Sequence, residues 1–190
     1  DAKTEKYLKV INSLAKNTLN LLDNLLQWAK TQTGQIIYKP EKTNLTSTIK
    51  EVVEAFSSIA KNKNIILNHI HSDPIEVFTD VNMLKVVLRN LISNALKFTN
   101  PGGRIELSAI QNKNNIEITI SDNGVGMDED TLNKLFKINN TLTTTGTAAE
   151  KGSGLGLILC KEFVEKLRGE IWVESILGKG SSFKFTLGLN

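Results

Sequence analysis

Two hydrophobic rhythms divide the 190-residue chain. Over residues 4–31, Leu8, Ile11, Ala15, Thr18, Leu22, Leu25 and Ala29 recur in alternating steps of three and four, the seam of a helical bundle or coiled coil. Tyr7, Leu14, Leu21 and Trp28 widen that seam to a second flank. So broad a stripe predicts one long helix that needs partner helices, and no other stretch of the sequence offers a matching one. The chain opens at Asp1 without an initiator methionine. It is read as an excised fragment, with the partner helix expected upstream, on a second subunit, or both.

Gly34 and Pro40 in "TQTGQIIYKPEKTN" break this rhythm and mark a linker, taken as residues 34–41 between a helical segment 1–33 and a second domain 42–190. In the second domain "TSTIKEVVEAFSSIAKNK" predicts a helix, "NIILNHI" and "EVFTD" strands, and "DVNMLKVVLRNLISNALKFT" a long helix. "RIELSAI" and "IEITI" alternate strictly about the polar turn "QNKNN", which predicts a hairpin. "LGLILCKEFVEKL" reads as a helix, with "EIWVES" and "SSFKFTLGL" as closing strands. Helices and strands mix without a strand–helix–strand repeat, which predicts an α+β fold: a two-layer α/β sandwich with a mixed sheet, preceded by one long bundle helix. Residues 127–153, rich in Thr, Asn, Gly and charge, form a long loop with one short helix, where Leu132, Leu135 and Phe136 can dock.

Composition removes several function classes. A net charge of +3 with dispersed lysines, and no helix-turn-helix or RNA-binding signature, gives no ground for a nucleic-acid partner. No apolar run reaches the length of a membrane span and no signal peptide is visible, so the chain is expected in the cytoplasm, as the cytoplasmic part of a membrane-associated sensor. The single cysteine, Cys160, lies in an apolar helix pattern and reads as a buried thiol.

The chemistry begins in "NLISNALKFT", residues 90–99. At about 100° per residue, Leu84, Leu88, Leu91, Ala95 and Phe98 share one helix side, while Asn90, Asn94 and Lys97 fall on a strip about 100° away, between core and solvent. An amide oxygen is a neutral hard ligand suited to Mg²⁺, and an ammonium one turn later suits a phosphate. The plain alternative is the ordinary polar edge of an amphipathic helix. Two glycine clusters bear on that choice. "SDNGVGMD" follows an alternating strand and "KGSGLGL" opens a helix. Such junctions let backbone approach a ligand closely, and a glycine-rich turn at a helix N-terminus is a natural phosphate cradle. Asp122 stands at a strand end, where its carboxylate can accept from an adenine amino group. Taken singly each cluster also reads as a turn. The sequence holds no G-x-x-x-x-G-K-[ST], and "GSGLGL" lacks the G-x-G-x-x-G spacing of dinucleotide-binding units.

In order along the chain, "NLISNALKFT", "DNGVGM", "LFK", "GSGLGL" and "GEIWVESILGKGSSFKFTL" resemble the N, G1, F and G2 boxes and closing strands of the ATP-binding catalytic domain of sensor histidine kinases, within the gyrase/Hsp90/MutL superfamily. The resemblance covers about residues 42–190. Residues 1–31, with "LLQWAKTQTG", resemble the second helix of the dimerisation and phosphoacceptor hairpin. It implies a Bergerat-type sandwich that uses ATP and Mg²⁺. Asn94 would hold the metal, with Asn90 supporting the same edge. Lys97 would contact phosphate and Phe98 flank the nucleotide. Asp122 would read the adenine, and Gly124 and Gly126 would shape that end. Residues 127–153 would be the ATP lid. Gly154, Leu155 and Gly156 would bring backbone N–H groups to the phosphates, with Lys151 as a further phosphate contact. The F-box departs from the commoner form in having no second phenylalanine after Phe136.

Hydrolytic members of the superfamily carry a glutamate one turn before the metal-binding asparagine. Here that position is Asn90, which cannot act as a base. The resemblance therefore implies a protein-histidine kinase that transfers the γ-phosphoryl group to a histidine and onward to the receiver domain of a response regulator, in a homodimer built on the bundle. His69 and His71, in "ILNHIHSD" at a strand end, do not fit an acceptor on a bundle helix, so that histidine is expected upstream of Asp1. The competing readings are a chaperone- or topoisomerase-type ATPase, opposed by Asn90, and a non-catalytic nucleotide-binding module, opposed by the intact Asn94, Asp122 and glycine clusters.

Overall fold

A computed structural model describes residues 2–70, 73–137, 146–148 and 154–189. The first element, α1 (Ala2–Gln32), is the long helix that the seam predicts. Tyr7, Leu8, Ile11, Leu22 and Leu25 stand exposed along it, while the side chains of Leu14 and Leu21 lie outside the described residues. Its last turn reaches residues far along the chain: the Thr31 hydroxyl and the Gln32 amide (Nε2–Oε1 2.7 Å) bond to Glu162.

Chain order then runs β1 (Glu41–Asn44), α2 (Leu45–Asn62), β2 (Ile66–His69), β3 (Glu76–Thr79), α3 (Val81–Phe98), β4 (Arg104–Gln111), β5 (Asn115–Asp122), α4 (Glu129–Leu132), α5 (Gly156–Lys166), β6 (Ile171–Ile176) and β7 (Gly180–Gly188). Five strands form one sheet in the order β2-β4-β5-β7-β6. β2 joins β4 in parallel, and the remaining neighbours are antiparallel, so the sheet is mixed as expected. The β4–β5 hairpin pairs Ile105 with Asp122 and Gln111 with Ile116 about the predicted polar turn. Strict alternation in β4, β5 and β7 buries Ile105, Leu107, Ile118, Ile120 and Phe185 on one face. Against that core lie α2, α3 and α5.

One element was not foreseen. Glu41–Asn44 pairs antiparallel with β3 in a separate two-stranded ribbon, Glu41 opposite Thr79. "EKTN" carries no apolar alternation, so only its partner makes it a strand. Leu135 and Phe136 do pack against the core, while Leu132 is half-buried.

The central helix α3 is fixed at both ends. Asp80 caps its start: one carboxylate oxygen accepts from Asn82 and Met83 N–H (3.0 and 3.1 Å) and the other from Lys39 N–H (2.9 Å). At its far end the Lys63 ammonium donates to Leu96 O (2.7 Å) and Lys97 O (3.1 Å). On its core side Leu84, Leu88, Leu91 and Ile92 are fully enclosed. Cys160 of α5 is also enclosed, with Sγ 3.8 Å from Val87 O, and burial pushes its thiol pKa well up.

Truncating this core at Leu88→Ala is expected to cost about 2–5 kcal/mol, since helices held at both ends cannot collapse into the gap. Urea unfolding followed by circular dichroism should show a lower midpoint with an unchanged slope.

Candidate functional site

Amphipathicity sets which side chains of α3 stand between its buried face and solvent. With Leu91 and Ala95 buried, Asn90, Asn94, Lys97 and Phe98 are each half-buried at the helix border. The Asn90 amide donates to Val86 O (3.0 Å) one turn back, which orients its oxygen. That oxygen faces the start of α5: a Cβ built on Gly156 would sit 2.6 Å from Asn90 Oδ1, so a glycine is what allows this approach. The Lys97 ammonium lies over the Phe98 ring, 4.5 Å from its centroid.

The other glycine segment meets α3 at its opposite end. Val125 N–H donates to Phe98 O (3.1 Å), and a Cβ on Gly124 would collide with that same carbonyl. Asn90 and Phe98 are eight residues apart, so the two glycine segments approach the helix about 12 Å from each other, with Asn94 midway. Gly126 and Gly154 adopt left-handed backbone, φ +65° and +71°. Leu155 is the N-cap of α5, and no side-chain oxygen caps the first turn.

Asp122 ends β5 and is buried. Its carboxylate accepts from Gly124 N–H (2.8 Å) and from Ser181 N–H. Burial raises its pKa above the ordinary value of 3.8, and the two N–H donors pull it part of the way back.

Of the residues singled out by sequence, Lys151 lies outside the described residues, as do His71 and the stretches 138–145 and 149–153 of the loop expected to be a lid. Of the others, Asn90 lies with Gly156, and Phe98 with Gly124 and the Asp122 strand end, while Gly126 comes up against the Ile176 backbone. His69 sits at the end of β2, in the sheet. Residues unread in the sequence also shape the site. Thr147 donates through N–H (3.0 Å) and hydroxyl (3.1 Å) to Lys97 O, and its hydroxyl also lies 3.0 Å from Thr99 O. Ser175 accepts from Met127 N–H at 2.9 Å. Only "GSSF", with a serine paired across the sheet from Asp122, held a sequence hint of Ser181.

Among the described residues no cluster of three or more His, Cys, Asp or Glu is placed to hold a metal, and no helix is long and apolar enough to cross a membrane.

The family model described as histidine kinase-, DNA gyrase B-, and HSP90-like ATPase matches residues 79–190. The adaptive-response sensory kinase SasA of Crocosphaera subtropica is 31% identical over 193 residues, covering 97% of this chain and 50% of that protein. The chain thus spans half the length of this relative. Among solved structures, the nucleotide-free catalytic domain of histidine kinase ThkA superposes with a TM-score of 0.68 at 26% identity, over 79% of this chain and 95% of that one. Full-length ShkA, solved in complex with AMPPNP, shares the fold at a TM-score of 0.80 and 24% identity, over 98% of this chain and 39% of that one.

Because Asp122 has a folded-state pKa above 3.8, its protonated form favours the fold. That contribution is complete below the unfolded value and is lost as pH rises through the folded one. Without ligand, Asp122→Asn should therefore melt at or above the unaltered chain at pH 7, with the difference closing as the pH is lowered through the carboxylate range. Calorimetric melting temperatures across that range check the sign.

Proposed function

The chain belongs to the histidine kinase-, DNA gyrase B- and HSP90-like ATPase family, and from that premise we propose that it is the ATP-binding catalytic portion of a sensor histidine kinase. It positions Mg-ATP so that the γ-phosphoryl group passes to a histidine outside these 190 residues, for relay to an aspartate of a response-regulator receiver domain. The observation that carries this reading is the spacing along α3: one glycine-led segment approaches its polar border at Asn90 and another its end at Phe98 O, about 12 Å apart along the helix with Asn94 between them.

In this reading the buried Asp122 carboxylate accepts from the adenine amino group. Gly124 and Gly126 let backbone lie close to the base, and Phe98 flanks it. Lys97 places a positive charge on the phosphate path. Gly154, Leu155 and Gly156 direct the N–H groups at the start of α5 to the phosphates, where the helix dipole also favours negative charge. Lys151 is a further phosphate contact on the same loop. Asn94 offers its amide oxygen to Mg²⁺, which when bound neutralises charge on the phosphates.

Asn90 supports transfer to a protein acceptor over hydrolysis. Its amide is a poor base, its nitrogen is engaged with Val86 O, and its oxygen faces Gly156. Phosphoryl transfer depends mainly on alignment and on charge stabilisation. These residues supply both and leave the nucleophile to another segment. We read residues 1–33 as the second helix of a dimerisation hairpin. The exposed seam of Leu8, Ile11, Leu22 and Leu25 is then the face met by the first helix and by a second subunit.

Titration calorimetry with a non-hydrolysable ATP analogue and Mg²⁺ should detect binding to the folded chain. Asn94→Ala should weaken it by about tenfold or more and remove the benefit of Mg²⁺ over EDTA; Asp122→Ala should weaken it comparably with or without the metal. Heat no greater than dilution, on material with native circular dichroism, overturns the proposal. Sustained phosphate release by the chain alone would instead point to a hydrolytic ATPase.

A further inference from the structure

The hydroxyl of Ser175 is the meeting point of three segments. It lies on β6, opposite Ser181 of β7. Its Oγ accepts from Met127 N–H (2.9 Å), donates to Gly180 O (2.9 Å), and lies 2.9 Å from Ser181 Oγ. A hydroxyl has one proton and two lone pairs. With its proton on Gly180 O, Ser175 can only accept from Ser181, so the Ser181 proton is committed to Ser175. What remains on the Ser181 hydroxyl is acceptor capacity.

This proton count bears on Asp122. Ser181 pairs with Asp122 across β5 and β7 and gives its N–H to the Asp122 carboxylate. Met127 follows the glycine turn whose Gly124 N–H holds the other side of that carboxylate. One hydroxyl thus ties the exit of the glycine turn, the start of β7 and the rotor of Ser181. With the Ser181 proton committed to Ser175, the Asp122 carboxylate and the Ser181 hydroxyl both offer acceptor capacity at this end of β5 and β7. A ligand edge bearing an amino group fits such an end, and one bearing an oxo group meets lone pair against lone pair.

We propose that Ser175 is a positioning residue for the base end of the nucleotide site, holding Met127, Gly180 and Ser181 so that Asp122 favours a 6-amino purine over a 6-oxo purine. The inference rests on the nucleotide reading above and extends it to specificity.

The test is titration of the 190-residue chain with Mg-ADP and Mg-IDP, for the unaltered protein and for Ser175→Ala and Ser175→Thr. The alanine variant is expected to bind ADP about tenfold more weakly and to narrow the ADP-to-IDP affinity ratio at least about fivefold. The threonine variant keeps the hydroxyl and should restore both. Should the alanine variant fold poorly, Ser175→Cys, close in size but a weak donor and acceptor, is expected to narrow the ratio in the same direction. A purely structural role would lower melting temperature and both affinities together; an unchanged ratio in the folded variants overturns this inference and leaves the nucleotide reading standing. Failure of the unaltered, folded chain to bind either nucleotide overturns both.

Discussion

An α-helix leaves its last carbonyls without partners of its own, and in this protein those of α3 become a junction. Leu96 O and Lys97 O take the Lys63 ammonium from the end of α2. Lys97 O and Thr99 O take Thr147, and Phe98 O takes Val125 of the glycine turn. Three segments distant in sequence are thereby registered against one helix end, while Asp80 holds the other. The helix cannot roll about its axis without breaking these bonds. Roll matters because Asn90 and Asn94 stand at the margin of the buried face, where a few tens of degrees would sink the amides into the core or swing them into water.

The sheet contributes the opposite wall. Burying a carboxylate is unfavourable, and Asp122 is kept ionisable by two backbone N–H donors, themselves held in place by the β7 pairing and by the glycine turn. The site therefore holds a group that the ligand-free fold would be more stable without charging. Such local cost is a familiar mark of residues kept for what they bind.

Much of this was legible in the sequence because it rests on periodicity. The alternation of β4, β5 and β7 and the three-four rhythm of α1 and α3 fix faces directly, and the border position of Asn90 and Asn94 follows from the same wheel. The ribbon of β1 with β3 was hidden because "EKTN" has no intrinsic strand pattern and borrows its conformation from a partner. Lys63 reads in sequence as an ordinary solvated lysine at a helix end; only the packing of α2 on α3 brings its ammonium to the carbonyls of Leu96 and Lys97. Ser175 and Thr147 were silent for the same reason. Hydroxyls acquire roles from whatever the tertiary fold sets beside them.

The sulfur of Cys160, sealed against Val87 O between α5 and α3, offers one more consequence. A reagent in solution cannot reach it while these helices are joined, and the thiol is held in its unreactive form. Its rate of alkylation therefore clocks how often the two helices part. A ligand seated where Gly156 meets Asn90 would slow that clock, giving the chain an intrinsic stopwatch for occupancy that needs no added label.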